Sequence, residues 1–93
     1  MSDQRSSVPA FDIVEHASTI LVRLSGRLDT TQCTTLQAPL FARLSAGGQS
    51  LIFDLEEVTF AASAFVRLCI IAARIVGEDR LRLINVSPML KRV

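Results

Sequence analysis

Ninety-three residues, 49% hydrophobic and 20% charged with a formal net charge of +1, describe one globular domain with a modest core. The near-neutral balance, with no Trp, no Tyr and no aromatic-interleaved basic run, argues against a nucleic-acid surface, and no apolar run approaches the roughly 18 residues of a membrane span. There is no GxSxG, no phosphate-cradling glycine loop and no paired His ligands, so the chain reads as a non-enzyme that needs no cofactor.

Residues 1–9 are polar and lack the apolar stretch of a signal peptide, so they read as a disordered leader before a domain at 10–93 in a cytoplasmic protein. Phe11-Asp12-Ile13-Val14-Glu15 and Thr19-Ile20-Leu21-Val22-Arg23-Leu24 read as two strands joined by a short turn at His16-Ala17-Ser18, an antiparallel hairpin with His16 exposed. Gly26, a lone glycine, reads as a turn. Asp29 caps a helix, with Gln32 three residues on in capping-box spacing. Cys33, Leu36, Leu40, Phe41 and Leu44 recur at helical spacing, Pro39 is expected to kink or divide this helix, and Gly47-Gly48 to end it.

Ser50 to Leu55 is nearly all apolar, as in a central strand covered on both faces, and Asp54 near its end is placed to bond N–H groups of the following loop. A second helix is expected from Ser63 to Val76, stopped by Gly77. Ser63 can cap it, and a phosphorylated Ser63 would put about two negative charges at a helix end already suited to anions. Val66, Cys69, Ile70 and Ala73 form one face of this helix, expected to cover the sheet. The opposite face carries Ala64, Leu68, Ile71 and Ile75, and a helix apolar nearly all round implies a partner or a second copy on that side. Phe65 lies at the edge of this second face, and Arg67 and Arg74 share one flank. Arg80 to Val86 reads as a last strand, and Ser87-Pro88 as the start of a helical turn. Cys33 and Cys69 have no ligand or CxxC spacing. They read as two free, partly buried thiols, and a metal site built from them and His16 is not expected.

The order of elements, with Gly26-Arg27-Leu28-Asp29, Asp54-Leu55…Val58-Thr59-Phe60 and Asn85-Val86-Ser87-Pro88, resembles the STAS domain of bacterial anti-sigma factor antagonists from about Phe11 to Val93. The resemblance implies an α/β domain: a mixed, mostly parallel sheet of four or five strands with helices packed on it, and a C-terminal helix that is here short or truncated. It places Ser63 on the family's phosphorylated serine or threonine. It implies as partners an anti-sigma factor or serine kinase of the histidine-kinase-like ATPase type, and a phosphatase. Asp29, Ala62, Phe65, Arg67, Leu68, Ile71 and Ile75 are then the expected partner surface, and a homodimer is a further expectation. Two residues depart from the family pattern: Ala62 stands where Asp is common before the serine, and Phe65 where glycine is usual two residues after it. They point to a second expectation, a degenerate STAS module that binds constitutively as a subunit of a signalling scaffold or of a lipid-transport ATPase complex.

Overall fold

The computed structural model describes residues 11–44 and 49–88; the expected leader, the Gly47-Gly48 stop and the segment after Pro88 lie outside these residues. In chain order the elements are β1 (Phe11–His16), β2 (Thr19–Leu28), α1 (Thr30–Arg43), β3 (Ser50–Ala61), α2 (Ser63–Val76), a 3₁₀ turn (Glu78–Arg80) and β4 (Leu81–Ile84). The sheet has the order β1-β2-β3-β4, with β1 antiparallel to β2 and the other two pairs parallel. Both helices therefore connect neighbouring parallel strands, and crossovers of one hand put them on the same side of the sheet.

Alternation along the strands decides which side that is. Ile20, Val22 and Leu24 of β2 and Leu51, Phe53 and Leu55 of β3 are buried, in one cluster with Leu36 and Leu40 of α1 and Phe65, Leu68 and Ala72 of α2. Burying each of the larger side chains contributes about 1.5–3 kcal/mol. The expectation that β3 is covered on both faces is corrected here. Ile52 and Asp54 face the other side and are only half-buried. There Val14, Leu21 and Ile52 form one row across the sheet, and Asp12, Arg23 and Asp54 the next, alternating in sign. The run looked continuous because Ile52 is apolar on the open face.

Four further readings change. Pro39 does not divide α1, which is helical through to Arg43 and closes at Leu44. The proline removes one backbone bond, to the carbonyl of Thr35, but both residues are exposed, so water can meet that carbonyl, while Leu36 and Leu40 anchor the turns around it. Gly26 is not a turn but lies inside β2 at φ 74, where the register against β3 shifts; the bulge uses a backbone conformation that glycine adopts without a Cβ penalty. Asp54 lies in the middle of β3, which continues to Ala61, although its carboxylate does accept from the Glu56 N–H at 3.1 Å. The last strand starts at Leu81 and stops at Ile84, where Asn85 takes φ 58 and turns its amide to donate to Asp54 at 2.9 Å. That bond, then the Glu56 N–H, hold the Asp54 carboxyl below the usual carboxylate range against an opposing effect of burial, with a lesser lowering by the charge of Arg23.

Candidate functional site

Strands β2 and β3 run parallel, so both deliver the chain to a helix N-terminus at the same edge of the sheet. The Ala62 N–H donates to the Leu28 carbonyl at 2.9 Å, and this bond ties the two exits together. Asp29 and Ser63, each the next residue along, therefore emerge side by side.

The two helix starts differ chemically. Asp29 is the N-cap of α1 and accepts the Gln32 N–H at 3.0 Å, as expected. At α2 the expectation is corrected: Ala62 occupies the N-cap, with φ −84 and ψ 169, and Ser63 is the first helical residue. No side chain caps this helix, and no acidic residue lies in its first turn. Its opening N–H groups are met only in part, by the Phe65 N–H donating to the Ala62 carbonyl at 2.9 Å. The exposed hydroxyl of Ser63 thus stands at the positive end of an uncapped helix, where an anion is favoured by about 0.3–1 kcal/mol.

The faces of α2 are the reverse of the expectation. Phe65 and Leu68 are 4% and 2% exposed and belong to the core, while Val66 and Ile70 are 53% and 50% exposed. The ring of Phe65 packs edge-to-face on Phe53, with centroids 5.4 Å apart at 66°. Phe65 and Leu68 are therefore core residues and not part of the expected partner surface. Phe65, Leu68, Ala72 and Val76 also recur at helical spacing, and in a helix apolar on two sides periodicity cannot say which stripe is inside. Cys69 and Ala73 are half-buried between the two. Burial, and secondarily the neighbouring Cys33, pushes the Cys69 thiol up to about 12, so it stays protonated at neutral pH and is no nucleophile. Burial, then the charge of Asp29, also raises Cys33; both cysteines are free, as expected.

Of the expected surface residues, Arg67 and Ile71 share one groove, while Asp29 and Ala62 stand at the N-caps of the two helices. A shallow groove of about 100 Å³ separates the first halves of the helices, lined by Thr30, Thr34 and Gln37 of α1 and by Ala64, Arg67 and Ile71 of α2. Ile75 lies a turn beyond Ile71 and is half-buried against the core cluster. Arg27 and Phe60 were missed: they pair across β2 and β3, and the Arg27 guanidinium lies 4.5 Å over the Phe60 ring at the same edge of the sheet. Only the register between the strands, altered by the bulge at Gly26, brings them together.

No protein-family model and no curated protein matches this chain. Among solved structures, the anti-sigma factor antagonist SpoIIAA in its unphosphorylated form matches with a TM-score of 0.69 and 24% identity, over 89% of this chain and 79% of that one. The phosphorylated form of the Bacillus cell fate determinant SpoIIAA matches with a TM-score of 0.68 and 23% identity, over 89% of this chain and 78% of that one. The chain has the STAS fold. The expected fold class is found, with four strands among the described residues. In the STAS fold of this chain no helix among the described residues is long and apolar enough to cross a membrane.

Proposed function

We propose that this protein is a regulatory binding module of the anti-sigma factor antagonist type, switched by phosphorylation of Ser63. The observation that carries this reading is the exposed, non-capping hydroxyl of Ser63 at the start of α2, on a fold for which SpoIIAA is known in unphosphorylated and phosphorylated forms. In the unphosphorylated state, Asp29, Ala62, Arg67, Ile71 and Ile75 meet an anti-sigma factor of the histidine-kinase-like ATPase type, which then releases its sigma factor. That partner acts as the kinase. The Ser63 oxygen takes the γ-phosphoryl group of ATP held by the kinase, ADP leaves, and the serine proton passes to a base of the kinase. A phosphatase hydrolyses the ester with water and restores the hydroxyl. The phosphate places about two negative charges beside Asp29, and a docked partner would have to desolvate both.

The rival reading, a constitutive STAS subunit of a scaffold or transport complex, rested on Ala62 and Phe65. Phe65 no longer supports it, because its ring points into the core against Phe53 instead of standing out beside Ser63.

Calorimetric titration with a histidine-kinase-like ATPase from the same genome tests the switch. Ser63→Ala is expected to bind like the unmodified protein, and Ser63→Asp about 100-fold more weakly, near 2.8 kcal/mol. Equal affinities for the two variants would remove the switch and leave constitutive binding.

A further inference from the structure

We propose that Arg67 is the internal counter-ion of a phosphate on Ser63, and that phosphorylation thereby withdraws a positive contact from the docking face as well as adding negative charge. The inference rests on the reading of Ser63 as the phosphoacceptor. Ser63 and Arg67 are four residues apart in one regular helix, and both are exposed. Side chains at that spacing lie over one another with Cβ atoms about 5–6 Å apart, and an anion N-terminal to a cation is the favoured order. A guanidinium also presents two parallel N–H donors to two phosphate oxygens, which a point charge does not.

Arg67 is available for this. The ion pair found among the described residues joins Arg43 to Glu15, and Arg67 has no carboxylate partner there. Its side chain lines the groove between the two helices with Thr30 and with Ala64, the residue that follows Ser63. Other charged groups at this edge are committed or opposed. Arg27 lies over the Phe60 ring, and Asp29, the cap of α1, would repel the phosphate. Arg74 is almost two turns further along α2 and out of reach.

Phosphoserine installed at position 63 by genetic encoding tests this without any kinase. The probe is the second ionisation of that phosphate, followed by ³¹P NMR across pH. An arginine pairing with the dianion lowers this pKa. It is therefore expected to lie about half a unit lower in the wild-type background than in Arg67→Gln, with the difference shrinking in high salt. Arg74→Gln, as a control, should titrate like wild type. The same titration in Arg67→Gln and wild type would overturn the proposal. Because the phosphate is installed by genetic encoding and not by a kinase, that result leaves the reading of Ser63 as an acceptor untouched. Failure to find phosphate on Ser63 in cells would sink that reading without bearing on the ion pair.

Discussion

Phe65→Ala is expected to destabilise the domain by about 3–5 kcal/mol, the usual cost of truncating a buried phenylalanine to alanine. The ring is nearly fully buried at the first turn of α2, where it joins the helix to the centre of the sheet through its edge-to-face contact with Phe53. Removing it leaves a cavity bounded by the rigid central strand β3, which cannot collapse to fill it. Domains of this size hold about 5–15 kcal/mol in total, so the loss is a large fraction of stability. Urea denaturation followed by circular dichroism should show the midpoint falling with an unchanged slope. A loss below about 1 kcal/mol would place the ring on the surface, and would restore the objection that it obstructs access to Ser63.

Leu68→Glu and Ile70→Glu are expected to behave oppositely although they are only two residues apart. Leu68 lies inside the core, and an unpaired carboxylate there must either be desolvated or bind a proton, at a cost of several kcal/mol. This variant should be unfolded or nearly so at neutral pH. Ile70 is half exposed on the other side of α2, so a glutamate there can reach water. Its cost should stay within about 1 kcal/mol. Thermal melts of the two variants check this directly. A folded Leu68→Glu protein beside an unfolded Ile70→Glu protein would mean that the helix presents its other face to the sheet.

Most of the fold was legible because local signals agreed. Asp29 with Gln32, the hairpin around Ala17-Ser18, and the span of α2 up to Gly77 each rest on short-range chemistry that tertiary context did not override. The face of α2 was not legible. Val66, Leu68, Ile70 and Ile71 are all strongly apolar, and what chooses between stripes is the fit of Phe65 against Phe53, a contact between residues twelve apart in sequence and on different elements. The cap lies one residue before the expected one for a related reason: serine is a favoured N-cap, but the bond from the Ala62 N–H to the Leu28 carbonyl fixes where β3 leaves the sheet and so where the helix begins. The candidate site was therefore half legible. Asp29, Ser63 and Arg67 stand out as candidates in the chain, whereas the burial of Phe65 and Leu68 and the pairing of Arg27 with Phe60 depend on strand register and packing.

The central claim is that Ser63 carries a regulated phosphate. Intact-mass analysis of the protein purified from its own cells in several growth conditions, with fragmentation to map the site, tests it most directly. A fraction of the chain is expected to carry one phosphate, located on Ser63, that changes with condition. A chain unmodified in every condition, or phosphorylated elsewhere while Ser63 stays bare, would contradict it.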